Sequence, residues 1–256
     1  MGSFDRFSNF QLDLLHGVED YIGALLDLIY PPRLNCIVCN KCLHTNDKYG
    51  ICSSCMGEIS FIGEQSCQKC SKPMFNQGGV ILCCDCKENQ YFFKKSLSVV
   101  EYKGLIQDLI YRFKYYDTTY LSRSMALMMA EVIKRENIYA DAIIPVPLHP
   151  RRRKERGYNQ SLLLAKYIGR ETKISHKSNN LIRVKYTRVM HNLSRRERQD
   201  NLTDAFELRD RDFIYGKDLL LIDDIFTSGA TANACSRVLI EGGAKSVIVV
   251  TFARGV

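Results

Sequence analysis

The sequence predicts an α/β fold, a parallel sheet flanked by helices, preceded by an N-terminal helix and a cysteine-rich double ribbon. Three observations carry this. Residues 219–222 are Leu-Leu-Leu-Ile, apolar toward both faces as a central parallel strand requires. They run into Asp223-Asp224 and the loop Thr227-Ser228-Gly229-Ala230-Thr231, after which a helical pattern begins near Ala232. Ten of the eleven cysteines lie between Cys36 and Cys86, most of them as Cys-x2-Cys pairs.

Composition narrows the function classes. The chain has 256 residues, 46% hydrophobic and 25% charged, ordinary values for a globular protein. No apolar run approaches the roughly 20 residues of a membrane-spanning helix. The acids Asp5, Asp13, Glu19 and Asp20 argue against a secretory signal, so we expect a cytoplasmic protein. Net charge is +8, unevenly spread: residues 150–199 hold 15 Lys and Arg against 3 acids, a charge of +12, and the remainder is −4. Such a concentration suits a polyanionic partner, nucleic acid, pyrophosphate or both, although a charge run is more commonly a solvated surface.

Taken in order, the chain divides into 1–33, 34–90 and 91–256. Phe10 to Ile29 reads as an amphipathic helix, with Leu14, Leu15, Val18, Ile22, Leu25 and Ile29 at three- and four-residue steps, stopped by Pro31-Pro32. Its polar face is acidic rather than basic, which favours packing over membrane contact. Residues 36–86 hold an internal repeat. Cys36, Cys39, Cys52 and Cys55 recur 31 residues later as Cys67, Cys70, Cys83 and Cys86. Four thiolates per set satisfy tetrahedral Zn²⁺ in a closed structural site, so two zinc ions are expected. Little apolar material lies here, so metal must supply much of the local stability. Cys42 and Cys84 break the repeat and could replace a neighbour; spacing alone does not choose between sequential and interleaved pairing.

From Phe92 the pattern changes. Leu97 to Tyr102 reads as a strand, Leu105 to Tyr115 and Leu121 to Glu136 as helices, and Ala140 to Val146 as a strand. The prolines of Pro145-Val-Pro147 and Leu148-His149-Pro150 set the strand exit. An arginine-rich turn follows: Arg151, Arg152, Arg153, Lys154, Arg156. A helix starts near Asn159. Leu181 to Val184 and Ala205 to Leu208 are short strands. Between them 185–202 is a polar, basic loop with a short helix capped by Ser194 and carrying Arg195, Arg196 and Arg198. Ser246 to Phe252 is a last strand.

The chemistry gathers at 223–231. Gly229 lets the backbone approach a ligand, Thr227, Ser228 and Thr231 offer hydroxyls, and a helix start offers unpaired N–H groups. Asp223 and Asp224 then stand at the carboxyl end of a strand, where open α/β sheets bind ligands. Paired acids beside a phosphate nest suit a sugar phosphate. Two acids after a buried strand also occur simply as caps of the next turn. The acidic strand end of a P-loop NTPase is excluded by the lack of any G-x-x-x-x-G-K-[ST] string.

The run from Leu219 to Thr231 resembles the phosphoribosyl diphosphate (PRPP) signature of type I phosphoribosyltransferases. Together with the paired knuckles, Arg112-Phe-Lys-Tyr115, Pro145-Val-Pro-Leu-His149, Arg156-Gly-Tyr-Asn-Gln160 and Leu193-Ser-Arg195, it resembles the ComF family of late-competence, phosphoribosyltransferase-like proteins. The resemblance implies a type I phosphoribosyltransferase fold, a parallel sheet with helices and a hood, behind a double zinc ribbon. It implies that Asp223 and Asp224 hold the ribose hydroxyls as the catalytic acids, and that Phe226, Thr227, Ser228, Gly229, Ala230 and Thr231 complete the PRPP site. Pro147, Leu148, His149, Arg151 and Arg156 would form the pyrophosphate loop, with Mg²⁺ bridging ligand oxygens. It implies a role in uptake of single-stranded DNA in natural transformation, with a competence helicase as partner and peripheral contact with the inner membrane through other proteins. Arg152, Arg153, Lys154, Arg195, Arg196 and Arg198 are then the expected nucleic-acid contacts. The alternative is a non-catalytic single-stranded nucleic-acid-binding adaptor on a phosphoribosyltransferase scaffold.

Overall fold

The computed structural model describes residues 34–44, 47–74, 82–186, 202 and 204–255. The helix expected over Phe10–Ile29, and the loop with Ser194, Arg195, Arg196 and Arg198, lie outside the described residues. The chain forms two compact units, Met1–Cys55 and Met56–Val256.

In the first unit, a bridge between Asn35 and Cys42 closes a knuckle. A 3₁₀ turn at Lys48–Gly50 follows, and the unit ends within a short helix, α1 (Ser53–Gly57). Asp47 organises the spacer: its carboxylate accepts from the N–H groups of His44 at 2.8 Å and Ser53 at 3.1 Å.

The second unit repeats the knuckle with a Ser66–Pro73 bridge and the short helix α2 (Cys84–Glu88). Then come β1 (Lys95–Glu101), α3 (Leu105–Tyr115), α4 (Leu121–Arg135), β2 (Ala142–Pro145), α5 (Pro150–Arg156), α6 (Gln160–Thr172), β3 (Leu181–Arg183), β4 (Phe206–Leu208), α7 (Arg211–Ile214), β5 (Asp218–Phe226), α8 (Ala230–Glu241) and β6 (Ser246–Arg254). Strands β1-β6-β5-β2 form one sheet, parallel throughout, and β3 pairs antiparallel with β4 apart from it. At the β2 edge, Ile143 adds a parallel bridge to His176.

The sheet is buried on both faces, which explains the unbroken apolar run of β5. On one face Ala142, Ile144, Leu219, Leu221, Val247 and Val249 join α8, the β3–β4 pair, Ile214 of α7 and the second cysteine cluster in one buried core. Helices α4 and α6 pack on each other and on the sheet. Ile143, one residue out of phase with the first set, meets α6 at Gly169.

One expected turn is a helix instead. The basic run 150–156 forms α5 because its start and stop are both encoded. Pro150 sits in the first helical turn, where its missing N–H is harmless, and Nδ1 of His149 accepts from the Arg151 N–H at 3.2 Å. An Arg151–Glu155 ion pair lies one turn apart, and Gly157 ends the helix at φ 79°.

Because every main-sheet strand runs the same way, 146–156, 223–231 and the start of α3 all emerge at one edge. The register pairs Pro145 with Ile222 and Phe226 with Arg254.

Candidate functional site

At that edge a cavity of about 400 Å³ is lined by Lys114, Tyr115, Pro147, Leu148, Arg152, Arg156, Arg183, Asp223, Asp224 and all of 226–231. Each side chain is delivered by an element end. β5 carries the acids and continues to Phe226. Gly229 follows at φ 78°, left-handed backbone that disfavours side chains, and a Cβ there would lie 2.6 Å from the Phe226 ring. Helix α8 then begins with no side chain from its N-cap residue, Gly229, bonded to its first turn. Only Ala230 N–H has a contact, 3.5 Å to Ser228 Oγ. The start of that turn lines the cavity together with Thr227, Ser228 and Thr231.

The two acids are held differently. Asp223 Oδ1 accepts from Ser161 Oγ and from the Asp224 N–H, both at 2.9 Å. Burial, and then the neighbouring Asp224 charge, push its carboxyl up to about 7, against the opposing pull of Lys114 and Ser161. Asp224 is buried and ion-pairs with Lys114 Nζ at 3.0 Å. Arg183 adds a third guanidinium beside Arg152 and Arg156. Burial, then Arg152, lowers its pKa below the usual arginine value, while Asp223 pulls the other way. The cavity thus gathers two acidic side chains, the start of α8 and three guanidinium groups. That charge pattern can hold a molecule with hydroxyls at its centre and phosphate at both ends.

Of the residues expected to form the pyrophosphate loop, Pro147, Leu148 and Arg156 line the cavity. His149 spends Nδ1 on capping α5, and its ring lies 5.2 Å from that of Tyr186. Arg151 points the same way, 4.8 Å from the Tyr186 ring, while Arg152 stands between that ring (6.0 Å) and the cavity. Arg153 and Lys154 are exposed on α5.

Sequence reasoning gave no role to Lys114, which it quoted only within the Arg112–Tyr115 motif, and did not single out Ser161, Arg183 or Arg254. Nor did it read 156–160 as a clamp. There the Tyr158 hydroxyl donates to the carbonyls of Phe113 (2.7 Å) and Tyr116 (3.1 Å). Asn159 donates to Val146 O at 3.0 Å, and Arg156 to Gln160 Oε1 at 3.2 Å. These bonds tie the end of α3, the exit of β2 and the start of α6 into one wall.

The cysteines form two sets, Cys36/Cys39/Cys52/Cys55 and Cys67/Cys70/Cys83/Cys86, with every Sγ of a set within 4.8 Å of the others. The pairing is therefore sequential, and exposed Cys42 and Cys84 belong to neither set. The repeat extends to geometry. Cys52 N–H donates to Cys36 Sγ and Cys83 N–H to Cys67 Sγ, both at 3.3 Å. Burial opposes ionisation of Cys36 and Cys67, but N–H donors outweigh it and hold each thiol near 7. Burial and the other sulfurs push Cys55 and Cys86 well up, and burial pushes Cys83 up to about 11. Four thiolates cannot coexist there without a cation, and zinc fits the donor set and its spacing.

Comparison with known proteins agrees. The double zinc ribbon domain family matches residues 25–87. Competence protein F of Haemophilus influenzae is 31% identical over 229 residues, covering 87% of this chain and 97% of that protein. Competence protein ComFC of Streptococcus pneumoniae is 27% identical over 237 residues, 86% of this chain and all of that one. DNA utilization protein YhgH of Escherichia coli is 28% identical over 206 residues, 78% of this chain and 88% of that one. Among solved structures, glutamine PRPP amidotransferase from B. subtilis aligns at TM-score 0.37 and 18% identity, over 54% of this chain and 30% of that one. At 31% identity over 87% of its own length and 97% of that relative, the chain belongs to the competence protein F family.

Proposed function

We propose that the protein serves DNA uptake in natural transformation by binding PRPP with Mg²⁺ at the cavity of the second unit, and that the site transfers phosphoribosyl to an acceptor. One observation carries this reading: paired acids, an uncapped helix start and Arg152 with Arg156 converge on one cavity. The nest at 227–231 takes the 5′-phosphate. Asp223 and Asp224 accept from the ribose hydroxyls, with Ser161 and Lys114 holding their orientation. Arg152, Arg156 and Arg183 face the pyrophosphate and neutralise charge as it departs. Asp223 and Asp224 would hold Mg²⁺, which would supply further charge neutralisation. Calorimetry with PRPP and Mg²⁺ tests the reading. The wild type is expected to bind, and Asp223→Ala/Asp224→Ala to lose at least about tenfold in affinity, the equivalent of 1.4 kcal/mol. No wild-type binding, or equal binding by the variant, overturns it.

A second reading, single-stranded nucleic-acid binding beside that cavity, is favoured by a separate observation. Tyr186 has Arg151 at 4.8 Å and Arg152 at 6.0 Å, and Tyr115 has Arg156 at 5.2 Å, around a groove of about 520 Å³. Aromatic faces flanked by guanidinium groups suit stacked bases and their phosphates. Affinity for a labelled oligonucleotide is expected to fall steeply with added salt, and Tyr186→Ala to cost about 1–3 kcal/mol. A salt-insensitive affinity removes this reading.

A further inference from the structure

We propose that Arg254 is a positioning residue through which the second cysteine cluster sets the conformation of the loop 227–229. Arg254 ends β6 and is 5% exposed. Its guanidinium spans two structures distant in sequence. On one side Nε donates to the Cys70 carbonyl at 2.9 Å, and Nη2 lies 3.7 Å from Cys70 Sγ. On the other side Nη1 donates to the carbonyls of Thr227 (2.8 Å), Phe226 (3.3 Å) and Gly255. The guanidinium also stacks 4.9 Å from the Phe226 ring, the ring that closes against Gly229.

The rest of the surroundings make this a rigid link. Phe93 packs edge-on to Phe226 at 5.8 Å, and its carbonyl accepts from Lys69 within the knuckle. Phe92 N–H donates to Asn233 of α8 at 2.8 Å. Ser71, also in the knuckle, donates to the Ser96 carbonyl of β1 at 2.8 Å. The four cysteines share one buried core with Phe226, Ala230 and Ala232. The knuckle is thus wedged against the strand end and helix start that make the nest.

Zinc changes this link through the chain's own groups. A metal-bound Cys70 is a thiolate, and a hydrogen bond from a guanidinium to a thiolate is charge-assisted, stronger than one to a neutral thiol. Metal also fixes the Cys70 carbonyl, because four ligands tied to one ion hold the knuckle backbone between them. Without zinc, Arg254 loses its anchor and the carbonyls of Phe226 and Thr227 lose their position. By reciprocity, closure of the loop on a ligand tightens the metal site. The coupling gives the second ribbon a role beyond scaffolding.

The role of 227–229 as a phosphate nest rests on the PRPP reading, but the coupling does not, so its test reads the loop directly. Hydrogen exchange is followed by mass spectrometry on peptides covering 226–233 in the full chain. Four states are compared: zinc-loaded wild type, zinc-depleted wild type, and Arg254→Lys with and without zinc. Cys86→Ser, which disables the second site without altering Cys70, gives an independent depletion. Expected is an exchange about tenfold faster on zinc loss and a similar rise in zinc-loaded Arg254→Lys. Zinc loss should then add little in Arg254→Lys, because both perturbations break one link. Additive effects mean that Arg254 only packs, and they overturn the coupling, as does wild-type exchange within about twofold with and without zinc. PRPP affinity is measured in the same four states. Absent wild-type binding with coupled exchange defeats the PRPP reading and leaves the coupling standing.

Discussion

Asp223 is where stability and ligand recognition oppose each other. Its carboxyl is held up to about 7 from an ordinary 3.8, first by burial and then by Asp224. The direction decides the pH dependence. Below about pH 4 the folded and unfolded chains both hold this proton. Between about 4 and 7 the folded chain keeps a proton that the unfolded chain releases, so this group's contribution falls as pH rises, and it stays unfavourable above 7. Asparagine keeps the size and removes the charge. Asp223→Asn should therefore melt higher than wild type, with a larger difference at pH 8 than at pH 5, while losing PRPP affinity. Thermal scans at the two pH values check it, and a pH-independent difference would show that burial does not hold the proton. Such residue-scale facts were scarcely legible in the sequence. Ser161 meets Asp223 from 62 positions away, and Arg254 meets Cys70 across 184. No spacing rule encodes partners that only a folded sheet brings together.

Elements were far more legible, because periodicity and punctuation are local. β5 announces itself by four apolar residues, and α3 and α4 by apolar positions at helical steps. The exception, α5, shows what was overlooked: Pro150 and the His149 cap start a helix over the basic run 151–156, which was read as a turn. The β5–α8 connection is the element whose geometry matters most. Gly229 sits at φ 78°, and an alanine Cβ would stand 2.6 Å from the Phe226 ring. Alanine therefore meets both backbone strain and a ring already wedged between Arg254 and Phe93. Gly229→Ala is expected to cost at least about 1 kcal/mol of stability. It should also weaken PRPP binding more than that loss explains, since the first N–H groups of α8 turn with the loop. Chemical denaturation and calorimetry on one preparation separate the two effects; unchanged affinity would mean that the nest tolerates a different turn.

At the scale of the whole molecule the two ribbons look alike but fall in different units. Their cysteines repeat at a 31-residue offset, with the same N–H to sulfur bonds. Yet Cys36 to Cys55 belong to the smaller unit, whereas Cys67, Cys70, Cys83 and Cys86 lie in the core of the larger one, with Phe93, Phe226 and Ala230. The sequence repeat gives no hint of this, because it records a shared ligand geometry rather than what packs around each site. Two zinc ions per chain are expected by metal analysis. The energetic consequences should be unequal. In Cys86→Ser, loss of the second ion removes support from the face of the sheet that carries α8. Because a loss of about 1 kcal/mol shifts the midpoint of a domain this size by roughly 2–4 °C, the main thermal transition should fall by several degrees at least. Cys55→Ser removes the first ion from the other unit and should leave that transition nearly in place, with a separate early loss of signal from its own unit. Calorimetric scans of the two single-site variants, each with its residual zinc counted, decide the matter. Equal depression of the main transition by both would mean that the two ribbons support the sheet alike, contrary to the place of the second set in the core of the larger unit.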